Sequence, residues 1–482
     1  MLLLVMLLLG PHGADPHPAI KAALSSKGLQ YGVNTATSWL QEKAKVTELP
    51  EISGNVDIGI GSVDYDLNGI TVARLDMAQP DVAFQQGSGV RVDVTGVSVA
   101  VTGQWHTSFS IIRDSGSFDA ALFDVGVSSV LLLGSDSQGR PSIQIDTCDS
   151  QIGDIQISFH GGASFIFQPF VDHFKGQIKG KIVDQICPSL NEGIGSLEAF
   201  LAAMNVSYHV DPSLFLDVPL TNAPLVQDSE VEFDLKGVFY SEADPLEPPF
   251  PSQEFPMARP ADRMLAMAAS EFCLNSYAYA CLRAGLLQTL ITDSMIPDMS
   301  PIRLNTSSFG ALIPQLPKIF PNMLMELQVY AGEAPTVSLQ PSVFALSLTA
   351  GIKASAVLPN STLAPLFTLK LATGFSGKLS LSDAKLTGVL QLDNSSLAVD
   401  SSEIGPFQTQ SLESVLNSAL KIYVVPKMNG ILNDGIPLPG LRGVSLQNPV
   451  LQIQQGFLAV VSDIIVGTEL HPHTSPVGGR EL

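Results

Sequence analysis

The sequence predicts an α+β protein built from two similar halves, and three observations carry that expectation. A proline-rich break runs from Asp244 to Pro260. On each side of it the same order can be read: an amphipathic helical segment, strands that alternate apolar and polar residues, a second helix and closing strands. A chain of 482 residues also exceeds what one core normally serves, so at least two domains of about 200 residues each are expected. Two halves joined by a stiff linker imply a duplicated, elongated molecule with two equivalent interior spaces.

The first half opens with a helix over Leu29 to Lys45, whose apolar stripe is Leu29, Val33, Ala36 and Leu40. Strand signals follow at Val56–Tyr65, Val90–Val101, Phe118–Leu133 and Ser142–Ile145; in Val90-Arg91-Val92-Asp93-Val94 the alternation has the period of two that a half-buried strand requires. A second helix is predicted over Phe167 to Ile186, where Phe167, Phe170, Val171, Phe174, Ile178, Ile182 and Ile186 recur at three- and four-residue steps. Closing strand sequence covers Val231 to Tyr240. The second half repeats this with a helix over Arg263–Ile291, on which Leu265, Phe272, Tyr279 and Leu286 fall at heptad spacing. Its strands are Met325–Tyr330, Val343–Val357, Phe367–Leu379 and Ala384–Leu392, its second helix Leu412–Leu432 and its closing strands Val450–Val466. The helical stripes suit either a plain core or the wall of an apolar groove between helix and twisted sheet.

Composition narrows the function classes. The chain is 45% hydrophobic and only 15% charged, which implies extensive apolar interior or apolar cavities. A net charge of −21 argues against nucleic acid as a partner and against simple electrostatic docking on anionic membranes. Met1 to Gly10 is an apolar run too short to span a bilayer, followed by small residues at Gly13, Ala14 and Ala19; it reads as a secretory leader over residues 1–19. Sequons at Asn205, Asn305, Asn360 and Asn394 are glycosylation candidates compatible with that route. Cys148 and Cys187 flank the second helix, so a bridge between them would pin its end to a neighbouring strand. Cys273 and Cys281 lie eight residues apart on one predicted helix, about 12 Å along its axis, and cannot bridge each other without unwinding it; buried free thiols or an intermolecular bridge remain.

No catalytic signature is found: there is no GxSxG elbow, no phosphate-binding loop and no dinucleotide fingerprint, and Gly59-Ile60-Gly61 and Gly193-Ile194-Gly195 are isolated glycine pairs. The eight histidines form no HExxH or paired metal signature, and His471 and His473 sit in a polar tail expected to be disordered. No enzyme activity, metal or cofactor is therefore expected. Trp105 and Phe109 suit a lipid interface, although a Trp in a strand also suits plain packing. Lys175, Lys179 and Lys181 form the densest basic cluster of the first half; the four-residue spacing puts Lys175 and Lys179 on one helical face, either solvated or facing an anionic head group.

Certain stretches resemble a known family. Lys236-Gly237-Val238-Phe239-Tyr240-Ser241-Glu242, Pro248-Pro249-Phe250 and Glu254-Phe255-Pro256 resemble the linker of the bactericidal/permeability-increasing protein and lipopolysaccharide-binding protein family. Asp262-Arg263-Met264, Met295-Ile296-Pro297, Phe320-Pro321-Asn322-Met323, Val357-Leu358-Pro359-Asn360-Ser361 and Ile404-Gly405-Pro406-Phe407 resemble its second domain, in order. Ser26-Lys27-Gly28-Leu29-Gln30-Tyr31 resembles its opening helix, and Cys148 with Cys187 its single disulfide. The resemblance runs from about residue 20 to about residue 466.

This resemblance implies an elongated boomerang of two tubular domains, each a highly twisted antiparallel sheet wrapped around two long helices, with a central sheet between them. The domains would span residues 20–235 and 261–470, separated by a proline-rich linker and central-sheet strand at 236–260, with a disordered tail at 471–482. Each tube would hold phospholipid acyl chains in an apolar pocket, for which Leu29, Val33, Leu40, Phe170, Phe174, Ile178, Leu265, Phe272 and Tyr279 are the wall candidates. Trp105, Phe109, Lys175 and Lys179 are the candidates for the lipid interface. Phospholipid, lipopolysaccharide and a bacterial outer membrane or lipid-particle surface are the implied partners, and innate defence by a secreted protein the implied role. Family members that bind lipopolysaccharide grip its phosphates with clustered Lys and Arg at the tip of the first domain. Here the matching neighbourhood, Gln104 to Ser110, is nearly uncharged, and Leu40 to Leu49 sets only Lys43 and Lys45 against Glu42 and Glu48. A phospholipid carrier with little lipopolysaccharide affinity is the alternative.

Overall fold

The computed structural model describes residues 17–466 except 45–47, 50, 58, 60, 163, 165–170, 258–261, 298–299, 301, 383–384 and 438–443. The expected leader, apart from its last three residues, and the tail at 471–482 lie outside the described residues, as do Phe170 and the side chains of Leu40 and Phe174. The first half runs β1 (Ile20–Ser25), α1 (Ser26–Ala44), β2 (Glu48–Leu49), β3 (Ile52–Asp57), β4 (Ser62–Asp76), β5 (Asp81–Gln85), β6 (Gly89–Phe109), β7 (Ile112–Ser135), β8 (Pro141–Gln151), β9 (Asp154–His160) and α2 (Val171–Ala202). Next come β10 (Ser207–Asp211), β11 (Leu214–Asp217), β12 (Leu225–Val226), β13 (Glu230–Leu235) and β14 (Val238–Ser241). The second half runs β15 (Leu265–Ser270), α3 (Glu271–Arg283), β16 (Gln288–Thr292), α4 (Thr306–Phe309), α5 (Leu316–Ile319), β17 (Leu324–Ala331), β18 (Thr336–Gln340), β19 (Val343–Val357), β20 (Leu363–Ser382) and β21 (Lys385–Ser402). It closes with α6 (Gln410–Ala419), a π-helical turn, α7 (Val425–Asp434), β22 (Ile436–Pro437), β23 (Val444–Gln454) and β24 (Phe457–Val466).

Each half owns a large antiparallel sheet: β2-β4-β6-β7-β8, with β3, β5 and β9 pairing on its strands, and β16-β17-β19-β20-β21-β22, with β18 on β19. Between them a third sheet takes strands from both halves, in the order β12-β13-β1-β15-β24-β23. The fold is thus α+β with twisted antiparallel sheets about a shared central sheet, as the resemblance implies.

At the centre the duplication becomes a local symmetry. β1 and β15 pair antiparallel, with Ile20 opposite Ala269 and Leu24 opposite Leu265. Each ends in a serine whose Oγ accepts from a backbone N–H in the first turn of the following helix, Gly28 for Ser25 and Cys273 for Ser270. Each of these hydroxyls also donates to the backbone of the other half, Ser25 to Arg263 O and Ser270 to Ala19 O. Here the expected helix over Arg263–Ile291 is corrected. Leu265 to Ser270 is a strand with the burial pattern of period two, α3 starts only at Glu271, and Gly285 in the left-handed region (φ 70°) follows its end. The Ala-rich run favours helix locally, but its small side chains fit the tight space between β1 and β24, and tertiary packing overrides propensity.

Asp463 of β24 ties the halves across this sheet: it accepts from Lys27 Nζ at 2.8 Å and from Arg263 Nη1 at 3.1 Å. The Lys27 bond, then Arg263, holds its carboxyl below the ordinary range. A depressed carboxylate contributes stability above its unfolded pKa, about 3.9, and loses it as pH falls through the folded value. Asp463→Asn should therefore cost about 1 kcal/mol near neutrality. Urea unfolding of parent and variant should converge as pH falls below about 4; a gap that is unchanged in acid would refute the assignment.

The proline-rich segment is strapped to α3. Phe250 meets the rings of Phe272 and Tyr279 at 5.6 and 6.3 Å, Asp244 pairs with Arg283, and Phe255 meets Phe457 at 5.3 Å. The second helix of the first half also departs from expectation. It does not stop at Ile186 but continues through Pro188 to Ala202, where Glu198 accepts from Ile143 N at 2.6 Å and Arg140 Nη1 donates to Ala202 O at 2.7 Å. These two contacts hold the final turns against the start of β8.

Candidate functional site

The first-half sheet curls around α2, and the inward residues of its strands meet the apolar face of the helix. Leu67, Val101, Phe118, Ile155 and Ile157 on strands and Ile178 on α2 are all buried in one cluster, with Ile182 and Ile186 packed against it. Within that shell lies a cavity of about 380 Å³, walled by these side chains together with Val72, Val99, Ala120 and Leu122. Among the described residues, the polar members of its lining are Glu51, Lys181, Gln185 and Ser189. Its walls are hydrocarbon, while these four polar residues are exposed and mark the side on which the space opens to solvent.

α2 is locked in place beside this space. Cys148 on β8 is bonded to Cys187 on α2 across 39 residues. A loop of that length contributes about 4 kcal/mol in the chain-entropy account. Ser150 Oγ donates to Val183 O at 3.1 Å and Lys179 Nζ to Gly153 O at 2.9 Å, so the helix is fixed by its polar edge while its apolar face looks inward.

The wall candidates named from the sequence are dispersed. Ile178 lines the cavity. Leu29 instead packs on a separate small cluster of Phe84, Val90, Val226 and Val231, and Val33 is half-buried on α1. Leu265 belongs to the central sheet, and Phe272 and Tyr279 hold the linker through Phe250. Helical stripes are what periodicity shows most clearly, yet most of this wall comes from strands. The alternation read in β6 and β7 marked their inward faces, whereas β9 was not read from the sequence, and only the closed sheet shows that these faces converge on one space.

The interface candidates separate in the same way. Trp105 is 2% exposed; its Nε1 donates to His160 O at 3.2 Å and its ring meets Phe159 edge-on at 5.9 Å, so it is an interior packing residue. Phe109 is half-buried, with its ring lying over Gly61, where the backbone takes φ 145°. Lys175 is half-buried, Lys179 holds the backbone at Gly153, and Lys181 is exposed at the cavity lining. What the sequence reading missed lies one residue beyond Phe109's neighbour. β6 and β7 turn through Ser110 and Ile111, and Ile111 is 95% and Ile112 61% exposed.

This turn is the far end of the first half. The 21 residues of β6 reach about 70 Å at 3.3 Å per residue, and their other end is held by the central region, where Gly87 N donates to Val226 O at 3.1 Å. Beside the apolar turn is a polar hollow of about 710 Å³ lined by Asp64, Asp66, Asp114, His106, Ser108 and Arg113 among others. Asp64 there accepts from Asn55 at 2.5 Å and Asp66 from Asn68 at 3.2 Å.

In the second half the space under the sheet is filled distally by Leu304, Ile313, Leu316, Leu366 and Phe367. Leu412, Leu416 and Leu420 of the α6–π–α7 helix face inward, while Ile422, Val424 and Ile431 are exposed. Cys273 and Cys281 are both buried and unbonded, and burial pushes the Cys273 thiol up to about 12, which leaves it protonated and inert. Among the described residues no group of three or more His, Cys, Asp or Glu is placed to hold a metal ion, and no described helix is long and apolar enough to cross a membrane.

Two sheet-and-helix halves about a shared central sheet, with an apolar cavity inside the first, define a duplicated α+β protein. Residues 28–197 match the N-terminal domain of the LBP / BPI / CETP family and residues 208–466 its C-terminal domain, and the chain belongs to that family. It is 34% identical over 463 residues to a bactericidal permeability-increasing protein of Sebastes schlegelii, covering 96% of this chain and 98% of that one. To the lipopolysaccharide-binding protein of Bos taurus it is 30% identical, covering 94% and 95%. The crystal structure of a lipopolysaccharide binding protein is similar with a TM-score of 0.59 at 26% identity, covering 93% of this chain and 99% of that one.

Proposed function

We propose that this chain is a secreted lipid-binding protein that holds the acyl chains of a phospholipid between α2 and the first-half sheet and engages bacterial lipopolysaccharide in innate defence. The observation that carries the reading is the apolar cavity. Left empty, this partly open apolar space of about 380 Å³ leaves its hydrocarbon walls against water, a loss on the order of 25 cal/mol per Å² of wall. An acyl chain burying a dozen methylenes contributes about 10 kcal/mol, so filling the space with hydrocarbon offsets that loss. A second lipid belongs under the α6–π–α7 helix, whose exposed Ile422, Val424 and Ile431 leave apolar surface for it. Lipopolysaccharide enters through the relatives, whose names state that ligand or a bactericidal action. Nothing in this reading calls for a catalyst; binding alone accounts for the site.

One observation favours the second reading, a phospholipid carrier. The distal end of the first half presents Asp64, Asp66 and Asp114 around its polar hollow, with Arg113 and His106 as the basic residues of that lining. Such a surface repels phosphate, and lysines farther away are screened beyond about 8 Å at physiological salt. Binding to lipopolysaccharide should accordingly rest on acyl-chain burial and change little across a salt series. Steep salt dependence would overturn this mechanism, and rapid transfer of labelled phospholipid between vesicles without lipopolysaccharide binding would select the carrier.

The basic test is organic extraction and mass spectrometry of protein secreted from animal cells and purified without detergent. One to two acyl lipids per chain are expected. Lipid-free protein of unchanged stability would remove the cavity argument.

A further inference from the structure

The hairpin turns at the two far ends of the molecule are structural counterparts with opposite chemistry. In the first half, Phe109 and Ile112 close the two-residue turn Ser110–Ile111, with Ser110 at φ 55° and Ile111 almost fully exposed. In the second half, Val357 and Leu363 close a longer turn in which Ser361 takes φ 64°. The start of β19 lies near the central sheet, where Ser342 N donates to Ile453 O at 3.3 Å. Its 15 residues therefore carry the second turn about 50 Å outward. That turn contains the sequon Asn360-Ser361-Thr362.

We propose that Asn360 carries an N-linked glycan, and that this glycan confines contact with lipid surfaces to the Ile111–Ile112 end. Asn360 is exposed, and its side-chain Oδ1 accepts from Thr362 N at 3.1 Å and Thr362 Oγ1 at 2.6 Å. Those bonds use the carbonyl oxygen; the amide nitrogen, to which a glycan is attached, takes no part in them. Asn305, by contrast, is half-buried, and its side chain caps α4 by accepting from Ser308 N at 2.8 Å. Modification forms a bond between the Asn360 amide nitrogen and the anomeric carbon of an oligosaccharide. The bond from that carbon to its lipid-pyrophosphate carrier breaks, and the amide proton leaves. The carrier-linked donor belongs to the secretory route, with which the Cys148–Cys187 disulfide agrees.

The glycan answers a second feature of this end. Leu324 and Leu363 flank Val357 on neighbouring strands and are 55% and 53% exposed. Bare, these leucines make the second end a competing apolar tip, and a molecule with two such tips bridges lipid surfaces. A bulky, solvated oligosaccharide on Asn360, three residues from Leu363, holds this end in water.

This inference rests on the lipid-binding reading for its second part, and the experiment keeps the two apart. Protein secreted from animal cells is mapped by glycopeptide mass spectrometry, then mixed with vesicles of phosphatidylethanolamine and phosphatidylglycerol while light scattering is followed. Asn360 should be occupied, and the parent should bind vesicles without clustering them. Asn360→Gln, and Thr362→Ala, which destroys the sequon but keeps Asn360, should each lose one glycan, retain binding and raise scattering at least about threefold through clustering. An unmodified Asn360 overturns the proposal and leaves the lipid reading standing. Equal clustering by glycosylated parent and both variants overturns the orienting role. A parent that binds no vesicles overturns the one-ended contact together with the lipid reading, whatever the occupancy of Asn360.

Discussion

Ile178→Asp should reduce co-purifying acyl lipid by more than about tenfold, the loss expected from removing roughly 1.5–3 kcal/mol of apolar contact and setting a carboxylate in a hydrocarbon wall. Ile178 is 3% exposed, sits on the inward face of α2 and lines the cavity, so its replacement changes the site directly. A buried charge also threatens the fold. Ala120→Phe supplies the control: Ala120 lines the same space from β7, and a ring built there fills volume that lipid would otherwise occupy. This second variant should stay cooperatively folded, with a thermal midpoint matching that of the delipidated parent, and still lose most of its bound lipid by mass spectrometry. Full lipid content in both folded variants would show that the ligand lies elsewhere.

The loss in Ala120→Phe follows from a cavity whose walls the sequence marked without revealing the void between them. The alternation in β6 and β7 identifies the inward faces, and β19 was readable as Val343–Val357 because a long half-buried strand repeats its pattern many times. Period two cannot say which strands will oppose one another around a helix, so Ile155 and Ile157 on β9 became visible as wall only in the closed sheet. Periodicity failed outright at Leu265–Ser270. Alanines there satisfy a helical template, while the physical reason for the strand is distant in sequence, in the β1 and β24 backbones on either side. The disulfide was carried by resemblance, since cysteine spacing leaves its pairing open. The tip was missed for another reason. Aromatic rings attract attention as interface residues, yet Trp105 points inward by strand parity, and the exposed pair follows at the turn that ends the strand.

Ile111→Asp with Ile112→Asp should weaken binding to phospholipid vesicles by at least about 100-fold, while leaving the lipid already held in the cavity unchanged. Burying two isoleucine side chains contributes roughly 1.5–3 kcal/mol each, and a 100-fold change corresponds to only about 2.7 kcal/mol, so partial insertion is enough. Two added carboxylates beside Asp64, Asp66 and Asp114 raise the cost of approaching an anionic surface further. Folding is not at stake, because Ile111 is 95% exposed in the free protein and belongs to no described core cluster. Vesicle flotation reads the first quantity, and extraction of the same preparations reads the second. Parent-like flotation by the double variant would eliminate this turn as the lipid-contacting end. Loss of cavity lipid together with flotation would instead mean that the two sites act as one, with the turn gating entry to the space beneath α2.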